Sequence, residues 1–482
     1  MADRAKDKSR EFATGNTLQL IVKYSIPTIV GMLANALYTF VDRIFVGHLP
    51  GGEGQLGMAA INIAMPVTII IFAVAMFAGV GAGANISLNL GRGRRDLAEK
   101  FIGNGTTMGV AIALVASVLF ILFRRPILVA FGASGEAAAA LPYAEQYLTI
   151  MLIGTTINTF GFCLSRFVLA QGFTTVSMTA MFIGVAVNLI LDPLFIFVFG
   201  WGVAGSAAAT VVAQASSAAY SLQYLLRGRM PLRFHWKNLK PDRAIMGGIA
   251  AIGVSPGSLQ LAMALVQVTL NNSLAAFGDV AISAMSAINA VAQVVLMPIF
   301  GINQGVQPII GFNYGARLYS RVRRLLLQAV SIAVALMVAF WAFIMLDASA
   351  VIRLFGSANE GLMSIGPGAM RWYLMALPLV GFQVVSANYF QAVGKPKHSL
   401  VLTLSRQVLC LLPAVLILPR FFGMSGVFMA GGVADSVSAV LTAAFLLFEL
   451  RKLGSQTDAV FAEHPREESL LETSAQQGPA QG

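Results

Sequence analysis

Residues 58–87 read MAAINIAMPVTIIIFAVAMFAGVGAGANIS. No charged side chain interrupts the run, and its apolar residues are continuous rather than alternating with period two. A membrane helix needs about 20 mostly apolar residues, so this stretch predicts a spanning helix and not a barrel strand. Windows of the same kind recur at 20–46, 104–123, 142–164, 177–199, 205–226, 250–272, 284–311, 326–346, 369–391, 399–418 and 426–449. The expected fold is an all-α membrane protein of twelve transmembrane helices, numbered here 1 to 12, with residues 58–87 as helix 2. Composition points the same way. Of 482 residues, 57% are hydrophobic and 11% charged, whereas a soluble surface needs roughly 25–35% charged residues. Mean hydropathy is +0.77. A cytosolic enzyme, a secreted disulfide scaffold and a nucleic-acid-binding domain are excluded.

The net charge of +11 comes from 32 Lys and Arg against 21 Asp and Glu. Cytoplasmic loops of membrane proteins are enriched in Lys and Arg, which raises the pI without any acidic partner. With the N-terminus in the cytoplasm, all basic residues but Arg43, Arg124, Arg125, Arg353, Arg371, Arg406 and Arg420 fall in inside segments. That bias predicts both termini inside, in a bacterial inner (cytoplasmic) membrane. The first 16 residues are polar and charged and lack a signal-peptide core. Cys163 and Cys410 lie in apolar windows with no disulfide or metal spacing, and His48, His235, His398 and His464 are scattered.

The second half of the chain repeats the first. Ala60-Ile61-Asn62 recurs as Ala287-Ile288-Asn289, and Asn89-Leu90-Gly91 as Asn313-Tyr314-Gly315. Phe131-Gly132 returns as Phe355-Gly356, Tyr147-Leu148 as Tyr373-Leu374, and Gly202-Val203 as Gly426-Val427. Six helices per repeat is an even number, so both halves enter the membrane the same way. A parallel repeat of this kind characterises one set of secondary transporters, with the solute site between or within the halves. The expected division is a cytoplasmic N-terminal tail (1–15), an N-lobe of helices 1–6 (16–235), a C-lobe of helices 7–12 (236–453) and a disordered cytoplasmic tail (454–482). The basic segment from Arg227 to Arg243 connects the lobes.

Charge inside a bilayer is costly and is a functional hypothesis by default. Asp42 lies in helix 1 and Asp192 in helix 5, within Asn188-Leu189-Ile190-Leu191-Asp192-Pro193. Asn188 and Asp192 are four apart and share a helix face. Pro193 has no N–H, so the carbonyl of Leu189 loses its helical donor. A carboxylate, an amide oxygen and a freed carbonyl suit a hard cation such as Na⁺; a buried carboxyl suits a proton equally. The structural alternatives are an Asp42–Arg43 ion pair and a helix-end role for Asp192 at the outer interface. Thr210 in helix 6 and Tyr147 in helix 4 are, on residue type alone, packing hydroxyls. In the repeat, Gln267 matches Asp42, Cys410 matches Asn188 and Ala414 matches Asp192. The ionisable groups are therefore asymmetric, and cation chemistry is expected in the N-lobe. Arg406 and Asp435 lie inside C-lobe helices, where they pair or Arg406 snorkels to the cytoplasmic surface.

Other motifs carry no chemistry. Gly253-Val254-Ser255-Pro256-Gly257 has the spacing of a nucleophile elbow but opens a membrane helix, with no His or Asp to assist. No phosphate-binding Gly-x-x-x-x-Gly-Lys-Ser/Thr occurs, which argues against ATP hydrolysis. Gly79/Gly83, Gly301/Gly305 and Gly311/Gly315 read as close helix packing. No enzymatic activity and no cofactor are expected.

Asp42 in helix 1, Asn188-x3-Asp192-Pro193 in helix 5 and the run Gly301-Ile-Asn-Gln-Gly-Val-Gln-Pro-Ile-Ile-Gly-Phe-Asn-Tyr-Gly-Ala316 closing helix 8 resemble the multidrug and toxic compound extrusion (MATE) family over residues 15–453. Within it the chain looks most like the bacterial branch of DNA-damage-inducible and staphylococcal multidrug members. The resemblance implies alternating-access antiport of organic, often cationic, drugs or toxins against Na⁺ or H⁺. A monomer in contact with membrane lipid, and not with nucleic acid, is expected. It further implies that Asp42, Asn188, Asp192 and Thr210 form the cation site, as H⁺ carriers or as Na⁺ ligands. Tyr147 is similar in position to a family cavity residue, and Gln267, replacing the helix 7 acid of some members, is expected to act on substrate if at all. The alternative is a lipid-linked saccharide flippase of the same superfamily, which would need Arg166, Arg371 or Arg406 in the cavity.

Overall fold

The computed structural model describes residues 2–49, 53–133, 135–227, 230–356 and 360–459. Among these, ten helices are long and apolar enough to span a membrane. Helices 1 to 5 are Thr17–Gly47, Glu53–Gly91, Arg95–Leu122, Ala138–Ala170 and Thr174–Val198. Helices 7 to 9 are Arg243–Ala275, Val280–Gly315 and Tyr319–Arg353; helices 11 and 12 are Pro396–Phe422 and Met424–Gly454. Helix 10 is a broken span, Glu360–Tyr373 and Leu377–Ala392, bent by 45°. Pro378 opens its second segment, and a residue without an N–H cannot continue the preceding turn. Helix 6, Gly202–Leu226, is not among the ten and is built on Ala and Ser. It fits tightly instead. Val211 sits against Gly154 of helix 4, and Ala218 against Gly161. Small residues let membrane helices approach where no hydrophobic force drives them together.

The repeat is written into local structure. Asn16 caps helix 1 by accepting from the N–H groups of Leu18 (3.0 Å) and Gln19 (3.3 Å). Asp242 caps helix 7 the same way, with Ala244 at 3.0 Å and Ile245 at 3.4 Å. Each cap satisfies orphan donors and contributes about 1 kcal/mol. Where helices 2 and 8 cross, a β-carbon at Gly91 would collide with the carbonyl oxygen of Phe312. One at Gly315 would collide with that of Leu88. Gly91 and Gly315, like Leu88 and Phe312, are repeat-related, so the crossing is symmetric.

Among the described residues, the hydrogen bonds found between the lobes gather on one side. Thr28 Oγ1 donates to the Gly301 carbonyl (2.7 Å), Gln304 reaches Met32 (3.2 Å), and Asn85 donates to the Gly248 carbonyl (3.1 Å). All these contacts lie in the helix halves nearest the N-terminus. Among the described residues, no inter-lobe hydrogen bond appears at the opposite end, where Asp42 and Gln267 sit.

The charged N-terminal segment is helical over Ala2–Thr14. Its Phe12 is 3% exposed. The ring packs edge-on against Tyr24 of helix 1 (5.2 Å) and Phe312 of helix 8 (5.7 Å). The Phe12 carbonyl accepts from Asn313 (3.1 Å) and Arg321 (2.9 Å). Glu11 pairs with Lys23 (2.6 Å) and Lys8 (3.3 Å). The short helix thus touches both lobes. The connector is held to the N-lobe, where Asn104 accepts from the Asp242 N–H (2.7 Å) and Gln171 from that of Leu232 (3.0 Å). Residues 460–482, most of the expected C-terminal tail, lie outside the described residues.

Candidate functional site

Four N-lobe helices converge on one polar cluster. Helix 1 brings Asp42 within two turns of its end at Gly47. Helix 5 presents Asn188 and Asp192 on one face, and its regular turns end at Pro193, followed by π-helical Leu194–Val198. Helix 6 supplies Ser206 and Thr210, again four apart. Asp192 is 1% and Asn188 2% exposed; Asp42, Thr210 and Tyr147 are half-buried.

The bonds knit the cluster. Ser206 Oγ donates to Asp42 Oδ1 at 2.7 Å. Asn188 Nδ2 donates to Asp192 Oδ1 at 3.2 Å and to Thr210 Oγ1 at 3.4 Å. The carboxyl groups of Asp42 and Asp192 lie close enough to act on each other. Tyr147 of helix 4 stands in the field of both acids. Among the described residues, no Lys or Arg forms an ion pair with either acid; Arg43 acts on Asp42 only through space. Two negative charges about 4 Å apart repel by about 4 kcal/mol at an effective dielectric of ~20. Such a pair needs a proton between its oxygens or a cation on them.

The C-lobe counterpart is different. Gln267 is exposed. Its Nε2 donates to Asn271 Oδ1 (3.0 Å), and its Oε1 accepts from Asn289 (3.3 Å), giving a neutral amide cluster. Deeper in the lobe, Arg406 Nε meets Asp435 Oδ1 at 2.5 Å. Arg406 therefore pairs rather than snorkels, on the π-helical segment Ser405–Leu411. Gln383 donates to the Asp435 carbonyl (2.5 Å) and accepts from Ser438 (3.1 Å). Tyr373, the repeat partner of Tyr147, stands beside this pair.

Ser206, Asn271, Asn289 and Gln383 escaped the sequence reading. Ser206 is four residues before Thr210 and shares its face, a spacing that was there to be used. Asn271 stands four after Gln267 in the same way. Gln383 has no local signal, because its partners lie on helix 12.

A family model described as MatE matches residues 27–194 and 259–416. Multidrug export protein MepA of Staphylococcus haemolyticus is 26% identical over 442 residues, covering 91% of this chain and 95% of its own. A solved structure described as the MATE multidrug transporter DinF-BH, bound to a ligand, is 34% identical, with a TM-score of 0.82 over 90% of this chain and 96% of that one. Another, described as the outward-facing conformation of a multidrug resistance MATE family transporter, is 25% identical. Its TM-score is 0.84 over 92% of this chain and 98% of that one.

Proposed function

The chain belongs to the MATE family, and we propose that it is a multidrug efflux antiporter. It exports organic, often cationic, compounds in exchange for Na⁺ or H⁺ by alternating access. One observation carries this reading: Asp42 and Asp192 lie close together in one polar cluster, and among the described residues no Lys or Arg forms an ion pair with either. A site of that charge attracts a cation and releases it only when another takes its place. Asp42 and Asp192 bring the negative charge; Asn188 and Thr210 offer further oxygens that suit Na⁺. For H⁺ the two carboxyls suffice. Gln267 and Tyr147 contact substrate rather than the coupling ion.

Basic residues crowd the side where the lobes touch, which fits a cytoplasmic location for both termini and for the Arg227–Arg243 connector. On this orientation the lobes are closed toward the cytoplasm and part toward the outside. Lobe boundaries near residues 16–235 and 236–453 follow the repeat, and the chain works as a monomer in a bacterial cytoplasmic membrane. Flipping of lipid-linked saccharides is disfavoured, because Arg406 is neutralised by Asp435, Arg371 is bonded to the Met345 carbonyl (3.2 Å), and Arg166 lines a cavity of about 10 Å³, far smaller than a pyrophosphate head group.

Dye efflux from reconstituted vesicles, under a Na⁺ gradient or a pH gradient imposed separately, tests the proposal. Export driven by either gradient supports it; export indifferent to both refutes it.

A further inference from the structure

Arg166 is the one candidate flippase residue that lines a cavity between the lobes. Helix 4 carries it, and helix 2 passes close at Gly79 and Gly83. The cavity is about 10 Å³, room for one water. Its walls are Val80, Gly83, Ser87 and Arg166 from the N-lobe, and Gln307 and Pro308 from the C-lobe.

The charge balance here is the reverse of that at the acid pair. Among the described residues, no carboxylate pairs with Arg166 and no protein acceptor takes a hydrogen bond from it. Its guanidinium lies over the Phe162 ring, 4.7 Å from the centroid. Gln307, 9% exposed, also makes no hydrogen bond through its side chain among the described residues. Two donors, one charged, thus face a single cavity from opposite lobes, with no acidic residue in its lining. Guanidinium recognises carboxylates through two parallel N–H bonds. A cation left without an anion in a low-dielectric wall is costly unless a ligand supplies one.

We propose that Arg166 and Gln307 form an anion-recognising subsite, which takes the carboxylate of organic anions and zwitterions entering between the lobes. The walls belong to different lobes, so parting the lobes on this side widens the one-water cavity and admits the ligand. The inference rests on the alternating-access reading and assigns the residues of this chain that read a carboxylate on the cargo.

The test uses a matched pair of probes, a cationic rhodamine ethyl ester and its zwitterionic free acid. Binding of each to the purified full-length protein in nanodiscs is followed by fluorescence anisotropy. Arg166→Gln is expected to weaken the acid by ~10-fold or more and the ester by less than ~2-fold. Arg166→Lys, which keeps the charge, should lose less. Gln307→Leu removes the other donor and should weaken the acid by ~3-fold. It serves as the arm of the test should Arg166→Gln not fold.

Unchanged acid binding in folded variants overturns the subsite, as does equal loss of both probes. The efflux proposal has its own readout. Gradient-driven transport of the ester by wild type can fail while acid binding still depends on Arg166, and the reverse can also occur.

Discussion

Tyr147 and Tyr373 occupy repeat-related positions, and each stands beside an acid inside its lobe. Beyond that the lobes diverge. The N-lobe acid has a second acid for a neighbour, while the C-lobe acid has an arginine. The C-lobe pair is neutral as it stands and needs nothing from outside. The N-lobe pair has no ion-pair partner among the described residues, and the proposed function gives that place to a proton or a metal ion. A duplicated scaffold has thus separated two uses of buried charge, one filled internally and one left open.

The comparison breaks most sharply at the acids. Asp42→Asn and Asp192→Asn should each cut ion-driven efflux by about 100-fold or more while leaving a folded protein, because nothing else there balances a cation. Vesicle transport beside size-exclusion of each variant reads both halves of that statement. Wild-type coupling in both variants would end the distinction between the lobes.

Next is the C-lobe pair. Asp435→Asn strands Arg406 without its partner, and the expected loss is about 3–5 kcal/mol of stability. Replacing both partners, Arg406→Met with Asp435→Leu, should recover most of it. Thermal unfolding in detergent distinguishes them. Lost coupling in an Asp435→Asn protein of normal stability would make the C-lobe a second coupling site.

Asn188→Ala and Thr210→Ala sharpen the picture by naming the ion. A Na⁺-driven cycle should need ~10-fold more Na⁺ in each variant, as an oxygen ligand is lost; an H⁺-driven one should stay within ~2-fold. The pH and Na⁺ profiles of efflux decide. Gln267→Ala should leave coupling intact and change substrate affinity by no more than ~3-fold, since a neutral amide cannot balance the ion. Gradient dependence lost at normal expression would contradict the N-lobe assignment.

The smallest effect belongs to Glu11. Burial pushes its carboxyl up, but Lys23 and Lys8 more than offset this and hold it below the usual glutamate value. A depressed carboxyl contributes stability above the undocked pKa and loses it as pH falls through the lower docked value. Docking of Ala2–Thr14 should therefore be constant from pH 8 to about 5 and weaken only in stronger acid. The mobility of a spin label at Thr14→Cys reports it. Release already at pH 6 would count against the Glu11–Lys23 pair.

All twelve spans could be read from the chain, because the length and continuity of an apolar run are local properties. Even Ala-rich helix 6 was found that way. Asn188 with Asp192 was equally legible, being one helical turn apart. What brings Asp42 to Asp192 is the packing of helix 1 against helix 5, and no spacing encodes that. The same holds for Arg406 and Asp435, on different helices, whose pairing stayed open until the structure placed them. The bend in helix 10 had a signal in Pro378, but a proline within a long apolar run does not say whether the span breaks or merely curves.

Phe12 is tied to helix 1 by the chain and to helices 8 and 9 by its hydrogen bonds. If the lobes separate on that side, it must abandon one of them. Its surroundings then change from a packed aromatic nest to open water, once per turnover. The N-terminus is in that sense a built-in indicator of which door is shut. A small environment-sensitive dye attached there would blink with the working cycle, far from any residue that handles cargo.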